Sequence, residues 1–278
     1  MIIKSFSKIN LTLKVNSKTK NGLHEIQSLY TWINLFDIIK INKIKRNKDK
    51  IIFKGTFSNS VNNRNNTVHN LLKILRKLNL ISSYYSIIVT KNIPAFGGLG
   101  GGTSNAAFLL KFLLKKKINK TLLNKLQSTI GSDLKLFSAK QGFLKDIHSV
   151  INLKIKQLFY FVLVQPKVKC STKEIFSIVN KFSSREKFDK NLVKSRNKFL
   201  EYLSNNRNDL QFIVERKYPI IKKLLMDIEK EKGCRFSRMT GSGSVCYGLF
   251  KDQFYAKKAL NNLKKKYPKF WFSLAKTV

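Results

Sequence analysis

Lys91-Asn92-Ile93-Pro94-Ala95-Phe96-Gly97-Gly98-Leu99-Gly100-Gly101-Gly102-Thr103-Ser104-Asn105-Ala106-Ala107 gathers five of the chain's 13 glycines into one loop that runs straight into a helical pattern. Without Cβ atoms such a backbone can bend sharply and approach a ligand closely, so that several N–H groups point at one set of anionic oxygens. The apolar spacing predicts a helix over residues 104–116, whose free N-terminal N–H groups and positive dipole end face the same anion. Neither of two better-known glycine motifs fits. A Walker A loop needs Lys-Ser or Lys-Thr after its last glycine, and a dinucleotide fingerprint needs a third glycine at position 103 and an acidic residue about 20 positions on. A plain surface turn does not account for Pro-x-x-x-Gly-Leu-Gly-Gly-Gly-Thr-Ser with a strand before it and a helix after it.

Outward from the loop, apolar stretches at 2–6, 9–15, 29–35, 38–41, 51–53 and 86–90 read as strands, with helices at 68–78 and 120–130. Strands first and helices afterwards argue for an α+β layer on a mostly antiparallel sheet rather than strict alternation. From about residue 150 the order restarts. Strands are expected at 159–164, 236–239, 245–250 and 270–275, and helices at 172–180, 190–203, 219–232 and 253–266. Pro219 suits a first helical turn and Gly233 a stop. The polar segment 183–197 reads as a surface excursion.

A chain of 278 residues, 43% apolar and 12% aromatic, can bury two moderate cores, and two linked domains are expected. The formal net charge of +40 would by itself suggest a nucleic-acid-binding protein. The lysines, however, are spread over almost every segment alongside heavy use of Asn and Ile, as an A- and T-rich coding sequence produces. Three widely spaced cysteines, Cys170, Cys234 and Cys246, suggest neither disulfides nor zinc. The start lacks an apolar signal core, and the longest apolar run, 158–164, is far shorter than the roughly 20 residues of a membrane span. A soluble, cytoplasmic protein with no membrane partner is expected.

Pro94 to Ala107 resembles the second signature of the GHMP small-molecule kinases. Three more segments resemble that family in its order: Ser7-Lys8-Ile9-Asn10-Leu11-Thr12-Leu13 with Asn21-Gly22-Leu23-His24 behind it, Gly131-Ser132-Asp133, and Ser237-Arg238-Met239-Thr240-Gly241-Ser242-Gly243-Ser244. The resemblance covers essentially the whole chain. It implies an α+β, two-domain kinase: a ribosomal-protein-S5-like, ATP-binding domain over 1–150 and a ferredoxin-like, substrate-side domain over 151–278, around a cleft.

The resemblance also implies ATP and Mg²⁺ as cofactors and a catalytic pair, Lys8 and Asp133. A carboxylate near an acceptor hydroxyl can take its proton as the bond to phosphorus develops, while an ammonium keeps that carboxylate ionised. Implied on the nucleotide side are Asn66, Lys91, Pro94, Gly97, Gly98, Leu99, Gly100, Gly101, Gly102, Thr103 and Ser104. Implied on the acceptor side are Asn10, His24, Thr172, Phe176, Gly241, Ser242 and Gly243, with His24 reading a cytosine edge and Phe176 stacking on it. No metal-ligating side chain is singled out. The Asn-Gly-x-His segment favours a cytidylyl methylerythritol as the small-molecule substrate over homoserine, mevalonate or a sugar, and a monomer or weak homodimer is expected. Departures from the family pattern are Leu23 for an aromatic residue, Phe96 for a small one, Thr103 for Ser and Lys135 for Pro. A basic RNA-binding protein, the rival from another class, calls for clustered basic and aromatic residues within an RNA-binding motif, and none is visible.

Overall fold

The computed structural model describes residues 1–20, 22–115, 118–155 and 157–278. Asn21 of the Asn-Gly-x-His segment and Lys116, the expected end of the helix after the loop, lie outside the described residues. The chain forms two compact units, one of Met1–Ser7, Leu35–Ala95 and Gly100–Ser138, the other of Lys8–Asn34, Phe96–Leu99 and Ala139–Val278.

The architecture is α+β, and two strands enter both units. β1 covers Ile2–Asn10, so the strand expected over 9–15 ends early, and a separate β2 covers Lys14–Lys18. β3 is one 21-residue strand, His24–Ile44, where the sequence suggested two with a break at Phe36-Asp37. In the first unit the end of β3 pairs antiparallel with β5 (Tyr84–Thr90), from Ile38 opposite Thr90 to Ile44 opposite Tyr84. β4 (Lys50–Lys54) then pairs parallel with β5, which makes this sheet mixed. Helices α1 (Thr67–Lys77), α2 (Gly101–Leu114) and α3 (Lys120–Ile130) bury one apolar face each: Leu71 and Leu75, Leu109 and Leu110, Leu126 and Ile130. α2 begins at Gly101 rather than Ser104, because Gly100, at φ +69°, is the last residue before it in the left-handed conformation and Gly101 to Thr103 are already helical.

In the second unit the start of β3 pairs with β2 and with β6 (Gln141–Asp146), and β6 forms a hairpin with β7 (Ser149–Asn152) that the sequence did not suggest. A separate antiparallel sheet has the order β11-β8-β10-β9, from Trp271–Lys276, Tyr160–Gln165, Cys246–Phe250 and Cys234–Met239. Its apolar face packs on α7 (Pro219–Glu229) and α8 (Gln253–Lys266), with Val162, Val164, Leu224, Ile228, Ala256 and Leu263 in one core. α4 is short (Thr172–Ser177). The expected helix at 190–203 resolves into a 3₁₀ turn, Lys190–Lys194, and α5 (Arg196–Asn205), and α6 (Asp209–Lys217) is added. The excursion at 183–197 is mostly exposed but buries Phe188 and Val193. No helix among the described residues is long and apolar enough to cross a membrane.

Leu224 is fully buried in the second unit's core. Leu224→Ala should destabilise the protein by about 2–5 kcal/mol, since the lost transfer energy and the cavity add; a lower urea midpoint at unchanged slope is the expected readout.

Candidate active site

The first unit supplies an anion-binding helix end and its anchor. Gly101, Gly102 and Thr103 form the first turn of α2, ahead of the first helical bond, which Ser104 N–H donates to Gly100 O at 2.8 Å. N–H groups of that turn have no acceptor within the helix and face outward along the positive dipole end. The Cβ of any larger residue at 101 would stand 2.9 Å from Ile93 Cγ2 and 3.5 Å from Lys91 Nζ. Gly131, at φ +137°, leaves room for the Thr103 hydroxyl, which lies 2.8 Å from where a Cβ would be. Gly131 caps the 3₁₀ turn Ser132–Phe137, and Asp133, half-buried, sits in its first turn. Lys135, in place of proline, is buried and donates to Asn124 Oδ1 at 2.6 Å.

Three expected nucleotide-side groups have structural partners. Asn66 caps α1, its Oδ1 accepting from Val68 N–H and His69 N–H at 3.1 Å each. The Ser104 hydroxyl is buried between Ser5 Oγ, at 2.7 Å, and Phe6 O, at 2.6 Å. The Lys91 ammonium is paired with Asp37, and both side chains are buried. Asp37 Oδ1 also accepts from Asn92 N–H at 2.7 Å and Ile93 N–H at 2.9 Å, which fixes the chain just before Pro94, itself buried. Sequence reasoning missed Asp37; the signal was one of only 15 acidic residues standing inside the apolar run Leu35-Phe36-Asp37-Ile38-Ile39.

The second unit contains Phe96–Leu99 and the third glycine motif. Ser244 N–H donates to Phe96 O at 3.0 Å and Val245 N–H to Gly97 O at 3.3 Å. Phe96 itself holds φ +54° and is 52% exposed, which a small residue would do at less cost. A Cβ at Gly98 would fall 2.1 Å from Thr240 O, so this position admits glycine alone. Lys8, 2% exposed, donates from Nζ to Asn10 Oδ1 at 2.6 Å and to Gly98 O at 2.9 Å, while Leu99 O accepts from its N–H at 3.2 Å. Asn10 N–H donates to Thr240 Oγ1 at 3.0 Å, and Asn10 Nδ2 to Ser28 Oγ at 2.7 Å. Asn208 holds the motif in place by donating from Nδ2 to Met239 O at 2.8 Å and Gly241 O at 2.7 Å. Lys8, Asn10, Gly98, Thr240 and Gly241 are thus brought together; Ser28 and Asn208 were not singled out from sequence, because the groups they bond lie elsewhere along the chain.

Ser242 Oγ and Thr172 Oγ1 are 2.9 Å apart. Thr172 and Phe176 stand four residues apart on α4, hence on one face. The Phe176 ring lies 5.1 Å from that of His24, centroid to centroid. Among the described residues His24 Nε2 is buried without a hydrogen-bond partner. Burial, and next the nearby Lys18 ammonium, lower the His24 pKa below its usual 6.5, so the imidazole is neutral at pH 7.

Models of known families match in two places: the GHMP kinases N-terminal domain over residues 66–142 and the GHMP kinases C-terminal region over 184–269. A 4-diphosphocytidyl-2-C-methyl-D-erythritol kinase of Pelagibacter ubique (strain HTCC1062) is 37% identical, covering 99% of this chain and 98% of its own. The chain belongs to the GHMP kinases. A second relative with the same printed name, from Wolbachia sp. subsp. Drosophila simulans (strain wRi), is 33% identical over 97% of this chain and 96% of its own. The crystal structure of a 4-(cytidine 5'-diphospho)-2C-methyl-D-erythritol kinase has a TM-score of 0.74 at 22% identity over 99% of both chains. A homoserine kinase from Cytophaga hutchinsonii has 0.66 at 17%, covering 100% of this chain and 94% of its own. At these identities the structural likeness establishes the GHMP kinase fold. As a GHMP kinase the protein uses ATP.

The buried Asp37–Lys91 pair ties the glycine loop of this GHMP kinase to β3. Asp37→Asn should cost about 3–5 kcal/mol by leaving a buried cation without its counter-charge, and adding Lys91→Met should recover much of the loss. Urea unfolding of the single and double variants checks this.

Proposed function

We infer that the protein transfers the γ-phosphoryl group of ATP to the 2-hydroxyl of 4-diphosphocytidyl-2-C-methyl-D-erythritol, a step of isoprenoid precursor synthesis. Full-length relatives at 28–37% identity carry that enzyme's name. The observation in this chain that carries the reading is the His24 imidazole: neutral, with Nε2 buried and unpartnered among the described residues, beside the Phe176 ring. A buried polar atom without a partner costs about 1–3 kcal/mol, and a pyrimidine edge is the kind of group that would relieve it. We take residues 1–150 as the nucleotide-side domain and 151–278 as the substrate-side domain. The water-soluble nucleotide-linked substrate supports a cytoplasmic location.

Phosphoryl transfer asks a protein for in-line positioning and charge neutralisation more than for covalent help. The first-turn N–H groups of Gly101, Gly102 and Thr103 hold phosphate oxygens, a role that side chains at 66, 91 and 104 support by holding the backbone in place. The Asp133 carboxylate accepts the proton of the tertiary hydroxyl as its oxygen bonds to phosphorus and the bridging P–O bond of ATP breaks, releasing ADP. Lys8 supplies positive charge for the transferring group, and Asn10 and Ser242 orient the acceptor. Among the described residues no three His, Cys, Asp or Glu side chains cluster to hold a metal. Magnesium commonly takes one or two protein groups, with phosphates and waters completing its octahedron. The Thr103 hydroxyl, in the space that Gly131 leaves, fits such a site. The ion when bound supplies charge neutralisation at the β- and γ-phosphates.

The test is incubation with ATP, Mg²⁺ and a panel of acceptors. A new phosphomonoester is expected on the cytidylyl methylerythritol and not on homoserine, mevalonate or galactose. Asp133→Asn should lower turnover by about 10² or more, the scale of a positioned base, with ATP affinity little changed; near-normal turnover would exclude Asp133 as the base. His24→Ala should erode the preference for the cytidylyl over the uridylyl analogue more than it lowers saturated turnover. Because the folded-state pKa of His24 is depressed, the neutral ring persists at and above pH 6.5 and is lost as pH falls through the lower, folded value. The acceptor KM should therefore stay flat from about pH 8 to 6.5 and rise below, and His24→Ala should remove that rise.

A further inference from the structure

Two helices of the first unit are joined at their starts. Thr67 opens α1, and its hydroxyl donates to the Gly102 carbonyl, in the first turn of α2, at 2.7 Å. The hydroxyl is free to reach outward. Asn66 already caps α1, and a threonine deeper in a helix would turn its hydroxyl back to the carbonyl three or four residues earlier, which at the first helical position lies outside the helix. Thr67 is half-buried and Gly102 exposed, and the two pack at ordinary contact: a Cβ on Gly102 would stand 3.6 Å from Thr67 Oγ1 and 3.7 Å from its Cγ2.

The consequence lies within one peptide unit. The Gly102 C=O and the Thr103 N–H share a plane and point opposite ways, so a donor fixed on the oxygen fixes the direction of the N–H. A helical carbonyl uses one lone pair for the N–H four residues on and keeps a second for the hydroxyl. Bonding at the oxygen also polarises the amide and makes its N–H the stronger donor. Gly101 and Gly102 have no side chains of their own with which to resist fraying of this helix end.

We propose that Thr67 is a positioning residue for ATP, holding the 102–103 peptide so that the Thr103 N–H is aimed at a phosphate oxygen before the nucleotide arrives. The proposal rests on the reading of the α2 first turn as the end that holds phosphate. An N–H aimed in advance has less ordering left to do on binding, which is where the affinity comes from. Thr67 itself acts only through Gly102.

The experiment titrates the full chain with ATP in the presence of Mg²⁺, and separately with adenosine, by calorimetry, and adds steady-state kinetics for both substrates. Thr67→Val removes the donor at unchanged shape, Thr67→Ala removes it with the methyl group, and Thr67→Ser keeps it. The Val and Ala variants should each raise the ATP Kd and the ATP KM about fivefold, the scale of one hydrogen bond, while the adenosine Kd and the acceptor KM stay within about twofold. Thr67→Ser should keep the ATP values within about twofold of the starting protein. Matched thermal melts confirm folding, and a role in helix packing alone would lower the melting point without separating ATP from adenosine. If the Val and Ala variants bind ATP as the starting protein does, or lose ATP and adenosine alike, or if Thr67→Ser is as weak as Val, the positioning role is overturned. If the starting protein itself binds ATP no more tightly than adenosine, the first turn of α2 holds no phosphate, and that reading falls with the role of Thr67.

Discussion

An ammonium sealed from water must be solvated by the protein itself, and in the second unit that ammonium is Lys8, 2% exposed. The oxygens it needs dictate much of what surrounds it. Gly98 turns its carbonyl toward Nζ at φ +71°, with its Cα against Thr240 O, a placement that excludes any side chain. Asn10 must present Oδ1 rather than Nδ2, so its amide donates to Ser28 Oγ, which in turn donates to Thr12 O at 2.6 Å. The backbone of Asn10 is held twice more, by Thr240 Oγ1 and by Tyr247 OH at 3.1 Å. A charge-assisted network of this kind keeps its members in one arrangement, because any alternative strands a buried charge. The positions of the glycine-loop start and the third glycine motif follow from that requirement.

In the first unit the same logic runs with the sign reversed. Asp37, fully buried, collects the Lys91 ammonium and the N–H groups of Asn92 and Ile93. The strand that leads into the glycine loop is therefore clamped at its exit from the sheet, and the first turn of α2 inherits a fixed starting point. A helix end binds phosphate well only if its N–H groups are already aimed, since ordering them at the moment of binding costs conformational entropy.

The glycine loop, the helix behind it and the helix start at Pro219 were legible because each rests on local chemistry: missing Cβ atoms in the loop and a fixed φ at the proline. β3 was not legible as one strand, since an aspartate within an apolar run reads as a break until its distant partner Lys91 is seen. The β6–β7 hairpin carries no clear alternation and is set by pairing with β3. In the site, Lys8, Asn10 and the glycine motifs were visible as a pattern, but the fates of Asn66 and Ser104 were not. A cap needs only its own helix, yet the hydroxyl of Ser104 meets Ser5, 99 residues away, and nothing local announces that.

The charge of +40 takes its place in the same account. Among the described residues the buried cations are Lys8, Lys91, Lys135 and Arg238, and each has oxygen partners: two oxygens for Lys8, Asp37 for Lys91, Asn124 for Lys135, and the carbonyls of Leu11 and Leu203 for Arg238. Every other lysine among the described residues is at least partly solvated, where it costs folding little. A coding bias toward lysine can therefore accumulate on the surface without disturbing the interior. Such a surface carries a field that draws in polyanions and anionic substrates alike, a long-range attraction that salt screens within about 8–10 Å at physiological strength. The buried cations are tied to the oxygens that solvate them, whereas a solvated lysine makes no comparable demand on the fold.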